Sequence, residues 1–295
     1  MKFKKLIFSL VFLFLTTESL FAKALPPGSG IGDVPANVLI MLDKSGSMGW
    51  RMGGGTSALR YPYDADADSN GDILISQYSR YGVKKFIYAS ATTDSGFGNN
   101  GVSGKGNSTY EGNSNCRTSW SYSGEVYNDV YYTTAYYERA VVAIRASDGQ
   151  CLRKYNLGFY PYNMSINQST GYLYVGGYGR NYRTINLSNH NIQSCSVSNQ
   201  IAYSYGAKIS GNYLYTSHGN RIWRYTLKTD SAKCTDSGTT KNFYHPEGSY
   251  VGIEANPSNQ YELYTQSWSN SRIKKITVNL KLVNLIYLNY PKMST

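Results

Sequence analysis

Tyr172-Leu173-Tyr174-Val175-Gly176-Gly177-Tyr178 decides the fold together with the segment that soon follows it, Tyr182-Arg183-Thr184-Ile185. Aromatic and β-branched residues are frequent in both segments, and neither segment is long enough to bury the face of a helix, so each predicts a β-strand. The whole chain has the same character, because 30 of its 295 residues are Tyr. No helical apolar period persists through several turns, so the sequence predicts an all-β protein.

The same pair of strands recurs along the chain. The first strand of the pair occurs at five places: Asp72–Tyr78, Asp129–Tyr136, Tyr172–Tyr178, Tyr213–Ser217 and Tyr261–Trp268. The second strand begins at Val83, Val141, Tyr182, Ile222 and Ile273, which gives offsets of 58, 41, 40 and 51 residues. A base period near 40 residues with four short strands per unit is typical of a β-propeller blade. The sequence therefore predicts a β-propeller over residues 58–295, with five countable blades.

The segment Thr92–Asn115 accounts for the longest offset. It is rich in Gly, Ser and Asn, so it predicts a projecting, mobile loop inserted into the first blade.

Two blades resemble known propeller families. Tyr61–Ile73 resembles an NHL-type blade, and Val141–Gln150 resembles the strand-turn-strand of quinoprotein-like blades. Both resemblances imply the propeller fold, and they disagree on the subfamily, so the prediction extends to the fold alone.

The amino terminus has the pattern of a secretory signal peptide over residues 1–24. Lys2, Lys4 and Lys5 precede the apolar run Leu6–Leu15, and an Ala-x-Ala cleavage site ends at Ala24. The apolar run is too short to span a membrane. The sequence therefore predicts bacterial-type export to the medium or the cell surface. The net charge of +11 comes from dispersed Lys and Arg, so we expect no nucleic-acid partner.

Residues 25–57 contain the first metal candidate. The apolar strand Val38–Leu42 leads into Asp43, Ser45 and Ser47, whose oxygens suit a hard divalent cation. The alternative is a polar turn whose side chains bond the local backbone. The Asp-x-Ser-x-Ser pattern resembles the metal-ion-dependent adhesion site of von Willebrand factor A domains. The resemblance implies a bound Mg²⁺ or Ca²⁺.

The rest of an A-type domain is not visible in the sequence. The segment Trp50–Gly55 follows the metal loop and cannot propagate the helix that the family places there, and its Gly53-Gly54-Gly55 has the composition of an insertion linker. Either the propeller is inserted into an A domain that continues beyond Thr295, or the strand is a relic that packs on the propeller. We favour the insertion, which predicts weak cation binding by this chain alone.

A second metal candidate lies before the first apolar strand of the propeller. Its members are Asp66, Asp68, Asn70 and Asp72. They match the first half of a calcium loop, but Gln77 stands where a bidentate Glu would close the site. The alternative is a plain hairpin turn between two strands.

The four cysteines, Cys116, Cys151, Cys195 and Cys234, are separated by 35, 44 and 39 residues. An even count in an exported chain predicts two disulfides, with three connectivities open. We favour the sequence neighbours, Cys116 with Cys151 and Cys195 with Cys234. Equivalent positions on adjacent blades challenge this pairing, since a disulfide needs Cα atoms within about 7 Å.

No catalytic constellation is apparent, so the sequence predicts a protein that is not an enzyme. The three histidines, His190, His218 and His245, fall on different blades and have no spaced nucleophile or carboxylate partner. Aromatic residues are the more informative set: Tyr131, Tyr132, Tyr136, Tyr137, Tyr172, Tyr174, Tyr178, Tyr213, Tyr215, Trp223 and Trp268. We expect most of them to pack between blades, and those at strand ends are candidates to stack on sugars or peptides.

An A-domain motif joined to a propeller resembles bacterial surface adhesins, including the type IV pilus tip adhesin family. The resemblance implies attachment, or assembly at the cell surface, with binding tuned by a divalent cation. We expect a protein or glycan surface ligand. The alternative function is a propeller hydrolase or lyase that acts on an extracellular polymer. Two or three carboxylates that converge in the central channel would favour the enzyme.

Overall fold

The structure, a computed structural model, describes most of the region with the repeat. The described residues are 59, 62–77, 82–104, 116–177, 182–195, 206–218, 221–227, 235–244, 250–256, 258–267, 273–278 and 283–287. All of them belong to one unit, Leu42–Thr295. They form strands and turns, and within these ranges no helix is long and apolar enough to cross a membrane.

The described residues form twenty strands in five antiparallel sheets of four, which we call blades 1 to 5 in chain order. The strands, four to a blade, are β1 Pro62–Ala67, β2 Ile73–Gln77, β3 Val83–Ile87, β4 Thr92–Thr93, β5 Gly124–Tyr127, β6 Val130–Ala135, β7 Ala140–Arg145, β8 Cys151–Asn156, β9 Pro161–Asn167, β10 Tyr172–Gly177, β11 Tyr182–Asn186, β12 Ile192–Cys195, β13 Gly206–Ser210, β14 Tyr213–His218, β15 Arg221–Leu227, β16 Thr235–Tyr244, β17 Tyr250–Asn256, β18 Asn259–Ser267, β19 Ile273–Val278 and β20 Val283–Tyr287. The sheets stand in a ring, so the predicted five-bladed β-propeller is confirmed.

Burial on both faces explains why the second strand of each blade carries the repeat. In β10, Leu173 and Val175 pack in a cluster with Tyr132 of blade 2. The residue between them, Tyr174, points the other way and packs with Leu214 of blade 4. A strand buried between two neighbours needs apolar residues at successive positions, and this produces the short apolar runs visible in the sequence.

The prediction of a mobile loop at Thr92–Asn115 is wrong for residues 92–104, while residues 105–115 lie outside the described part. Phe97 is fully buried in a cluster with Leu74 and Val142 of blades 1 and 2. The amide of Gly98 donates to the Asp148 carbonyl at 2.7 Å. Gly98 has φ +61, and a Cβ there would overlap the Val102 carbonyl. The glycine-rich composition thus serves a close backbone approach rather than flexibility.

The first strands of neighbouring blades lie side by side around the centre of the ring. β1 contacts β5, β5 contacts β9, β9 contacts β13, and β13 contacts β17. The first strands therefore line the central channel, and the segments that precede them lie around one end of it.

Candidate functional site

Each first strand contributes one residue at an equivalent position, and we call these five residues the channel ring. The position is defined by pairing with the second strand: Asp66 with Leu74, Glu125 with Tyr132, Ser165 with Tyr174, Lys208 with Tyr215, and Glu254 with Tyr264. The ring therefore contains three carboxylates, one hydroxyl and one ammonium group. The convergence of so many polar side chains makes the channel the first candidate site.

The channel ring joins neighbouring blades by a repeated hydrogen bond. In each case the side chain accepts from the amide just after the next ring residue: Asp66 Oδ2 from Val126 N at 2.7 Å, Glu125 Oε2 from Ile166 N at 2.7 Å, and Ser165 Oγ from Ile209 N at 2.9 Å. Two residues before Asp66, Asp64 Oδ2 accepts from Gly124 N at 2.9 Å. These bonds satisfy amides of strands β5, β9 and β13, so the acidic side chains have a structural role.

Lys208 interrupts this pattern because an ammonium group cannot accept a hydrogen bond. Its Nζ instead lies 3.0 Å from Glu125 Oε1 and 3.1 Å from Glu254 Oε1. The amide that would have been the partner, Ala255 N, donates to Glu254 Oε1 at 3.0 Å. Lys208 thus links blades 2, 4 and 5 across the channel by charge.

Burial shifts the acid–base properties of the channel. It raises the pKa of Glu125 to about 7, against the attraction of Lys208 and the hydrogen bond from Ile166. It raises the pKa of Asp64 to about 6, against the hydrogen bond from Gly124. Burial disfavours the charge of Lys208, but Glu125 and the other carboxylates outweigh it and raise its pKa. The channel therefore contains carboxyl groups that titrate near neutral pH.

A row of tyrosines lies at one end of the channel. Tyr63, Tyr122 and Tyr162 stand near the starts of the first strands of blades 1, 2 and 3, three residues before the channel ring. The ring centroids of Tyr63 and Tyr122 are 4.9 Å apart, and those of Tyr122 and Tyr162 are 5.0 Å apart. Three residues of strand span about 10 Å, so the tyrosines and the carboxylates of the channel ring occupy different levels of the channel.

Four further aromatic side chains extend this row outward. They are Trp120, Tyr136, Tyr137 and Tyr160, and with the three tyrosines they form what we call the aromatic platform. Tyr136 is its centre, with centroid distances of 4.8 Å to Tyr160, 5.1 Å to Tyr162 and 5.2 Å to Tyr137. Tyr137 is 55% exposed and the other six are half-buried. The platform is thus a continuous aromatic surface over three blades.

The backbone holds parts of the platform in uncommon conformations. Trp120 has φ +60 and Arg139, in the turn after Tyr136, has φ +50. Positive φ is uncommon for residues other than Gly, and such strain persists only where the surroundings fix it. The disulfide between Cys116 and Cys151 fixes the start of the segment that carries Trp120, with Cα atoms 6.0 Å apart. This bond is one of the two pairings favoured from the sequence.

The other sequence-predicted residues divide into two groups. Some lie outside the described residues: the signal peptide, the metal loop of Asp43, Ser45 and Ser47, the side chain of Cys195, all of Cys234, His245, Tyr178 and Trp268. Of the described histidines, His218 ends β14, and His190 Nδ1 lies 2.9 Å from the hydroxyl of Tyr155, which belongs to neither the channel ring nor the platform.

The proposed calcium loop forms a hairpin held by a lysine. Asp68 and Asp72 lie 2.9 Å and 3.2 Å from Lys85 Nζ, and Asp68 Oδ1 also accepts from Asn70 N. Asp66 turns away to the channel. In the described part of the chain, no three His, Cys, Asp or Glu side chains are grouped as metal ligands. Calcium binding here stays a prediction.

Similarity to known proteins is confined to the fold. No protein-family model matches the chain, and no curated protein matches its sequence. Hydrazine synthase of Kuenenia stuttgartiensis has a similar structure, with TM-score 0.58 and 13% identity over 81% of this chain and 70% of that chain. A catalytically inactive virginiamycin B lyase of Staphylococcus aureus with quinupristin also has a similar structure, with TM-score 0.56 and 16% identity over 78% of this chain and 71% of that chain. At such identities the likeness shows a shared propeller architecture.

The sequence signalled only part of the two candidate sites. Tyr136 and Tyr137 belong to the aromatic set that the sequence singles out, whereas Asp66 was predicted as a calcium ligand and not as a residue of the channel. A Tyr recurs three residues before the channel-ring residue in blades 1, 2 and 3, as Tyr63, Tyr122 and Tyr162. This recurrence is the signal that could have revealed the tyrosine row. Glu125 and Lys208 carry no such signal.

Proposed function

We propose that this protein is an exported recognition protein that binds a glycan or protein surface ligand through the aromatic platform. The observation that carries the proposal is the continuous surface of seven partly exposed aromatic side chains, one of which, Trp120, has positive φ. Tyr and Trp provide large, rigid contact areas that lose little conformational entropy on binding. Contiguous exposed apolar patches mark interaction sites.

Export is part of the same proposal. The signal-peptide pattern supports it, and a disulfide at Cys116–Cys151 is compatible with an oxidising compartment. The divalent-cation dependence that Asp43, Ser45 and Ser47 suggest also belongs here, because an adhesin of this kind would couple cation binding to attachment.

Replacing Tyr122 by Ala is expected to weaken ligand binding at least tenfold, since Tyr122 contacts Tyr63, Trp120, Tyr136 and Tyr162 and its loss opens the middle of the platform. The measurement is quenching of tryptophan fluorescence by an array of soluble host and bacterial polysaccharides, repeated with excess EDTA to test the cation dependence. Tyr88→Ala is the matched control, because Tyr88 is 63% exposed and lies outside the platform. Equal binding by both variants would contradict the proposal.

A second candidate function, a hydrolase or lyase acting on a polymer, is favoured by the carboxylates of the channel. Four carboxylates lie on the first strands around the channel, namely Asp64, Asp66, Glu125 and Glu254. Converging carboxylates of this kind would favour an enzyme. A carboxyl with a pKa near 7, as for Glu125, suits general acid–base catalysis. Against it, Glu125 is buried and its oxygens already have partners in Ile166, Ser165 and Lys208.

The enzyme hypothesis predicts that Glu125→Gln abolishes polymer cleavage by the purified protein while Glu262→Gln, outside the channel ring, does not. Release of reducing or unsaturated ends from the same polysaccharide array is the readout. Activity that survives Glu125→Gln would assign Glu125 to the structural role alone.

A further inference from the structure

We infer that Arg139 gives the aromatic platform selectivity for glycans that carry carboxylates, such as chains of uronic acids. The inference rests on the proposed recognition function and specifies its ligand. It follows from the position, the partners and the exposure of this one guanidinium group within the platform.

Arg139 is an exposed cation that has no carboxylate partner among the described residues. Its neighbour in the same turn, Glu138, has two cations, with Arg117 Nε at 3.7 Å and Lys154 Nζ at 3.1 Å. The carboxylate of Glu138 is therefore paired with two cations, whereas the exposed guanidinium of Arg139 is paired with no described carboxylate. The platform thus presents net positive charge at its outer side, which complements an anionic ligand.

The guanidinium group is held in place rather than freely mobile. It lies 4.6 Å over the ring of Tyr160, and its Nη2 donates to the hydroxyl of Tyr160 at 2.9 Å. Tyr160 in turn stacks on Tyr136 with a centroid distance of 4.8 Å and an interplanar angle of 28°. A guanidinium has five N–H donors, and the described contacts use one of them. A planar donor group held on an aromatic stack is prepared for a bidentate bond to a carboxylate.

The backbone supports the same position. Arg139 N donates to the Tyr136 carbonyl at 3.0 Å, and the Arg139 carbonyl accepts from Leu157 N at 2.8 Å. The turn therefore keeps φ of Arg139 at +50 and directs its side chain towards Tyr160. Because strain of this kind is costly outside Gly, Arg139 occupies a position that the surrounding structure specifies.

The form of the platform favours a glycan over an acidic peptide. A peptide commonly binds by adding a strand to a sheet edge, but the platform consists of strand ends and turns. A pyranose ring has an apolar face of C–H groups and a rim of hydroxyls. The platform matches both, because aromatic rings lie beside phenolic hydroxyls such as those of Tyr136 and Tyr162, which are 3.4 Å apart.

The experiment compares polygalacturonate with the same polymer converted to its methyl ester, using the full exported chain and tryptophan fluorescence. The wild-type protein is expected to bind the acid at least tenfold more tightly than the ester, as one charge-assisted bidentate contact would give. Arg139→Gln is expected to lose this preference while it keeps its affinity for the ester, which also shows that the platform remains folded. Arg139→Lys is expected to keep part of the preference, since an ammonium lacks the planar fork.

Arg145→Gln is the control, because Arg145 is an exposed arginine paired with Asp148 and lies outside the platform. Its preference for the acid should be unchanged. Equal binding of acid and ester by the wild type, or a preference that survives Arg139→Gln, would overturn the inference while the recognition function stands. Polyglutamate bound as tightly as polygalacturonate would overturn the assignment to glycans. Binding of neither polymer, together with no hit on the wider array, would overturn the recognition function itself.

Discussion

Replacing Cys116 and Cys151 by alanine is expected to lower the free energy of unfolding by about 3–4 kcal/mol. The bond closes a loop over a sequence separation of 35 residues. In the chain-entropy treatment, removing a crosslink of this length increases the conformational entropy of the unfolded chain, which lowers the free energy of unfolding by about 3–4 kcal/mol. Cys116 is also buried in the cluster between blades 1 and 2, with Val142 and Ile144, so its truncation removes apolar contact as well.

Urea denaturation followed by circular dichroism measures this effect, provided that the slope of the transition is unchanged. A variant with Cys195→Ala and Cys234→Ala isolates the bond further, because the effect of a reductant on that variant reports on Cys116–Cys151 alone. A loss below about 1 kcal/mol in both experiments would show that the bond adds little to the folded state.

The same bond connects stability with recognition. Cys116 begins the segment that carries Trp120 and Tyr122, and Cys151 begins strand β8 beside it. Loss of the bond should therefore weaken ligand binding by the platform under conditions in which the propeller is still folded. This order of events, binding lost before the sheets unfold, is what a locally anchored binding segment would produce.

The repeat made the fold predictable because the middle strands of every blade meet the same physical demand. Residues such as Leu173 and Leu214 are buried between sheets, so selection of apolar side chains there is uniform and the period appears in the sequence. The first strands meet a demand that different residue types can satisfy, because Asp66, Glu125 and Ser165 all accept the same kind of hydrogen bond and Lys208 forms ion pairs instead. Their channel-ring residues are Asp, Glu, Ser, Lys and Glu in turn, and nothing in the sequence shows that they occupy one position.

The insertion in blade 1 shows the limit of composition as a guide. Its glycines predicted mobility, yet Gly98 is there because the chain passes against the Val102 carbonyl and Phe97 fills a gap between blades. The platform shows a related limit. Tyr136 belongs to the repeat and could be recognised, but Trp120 and Tyr160 come from connecting segments that the repeat does not define, and only the fold brings them together.

Replacing Lys208 by Met is expected to destabilise the propeller by about 3 kcal/mol at pH 8 and by much less at pH 5. Lys208 lies between Glu125 and Glu254, and Glu125 is buried, so removing the cation leaves a buried carboxyl group with no opposite charge. Methionine keeps most of the length of the side chain, so the loss reflects charge rather than packing.

The dependence on pH follows from the raised pKa of Glu125. Burial raises it from 4.5 to about 7, so the native state takes up a proton that the unfolded state releases. A raised carboxyl pKa favours the native state below pH 4.5, and this contribution is lost as the pH rises through 7. Lys208 opposes the rise, so Lys208→Met raises the pKa of Glu125 further. At pH 5 Glu125 is protonated in both proteins and the cation matters little, whereas at pH 8 the variant has a buried carboxylate or must remain protonated at a cost.

Urea midpoints measured from pH 5 to pH 8 test this expectation in Lys208→Met and in three comparison variants. Arg145→Met removes an exposed cation from its pair with Asp148 and should cost at most about 1 kcal/mol at either pH. Glu125→Gln should flatten the pH dependence, and in that background Lys208→Met should cost about the same at pH 5 and pH 8, because the partner that titrates is gone. A cost of Lys208→Met that is the same at both pH values in the presence of Glu125 would mean that Glu125 remains ionised throughout. In that case Lys208 and Glu125 would form an ion pair at both pH values, and Glu125 would not titrate near neutral pH.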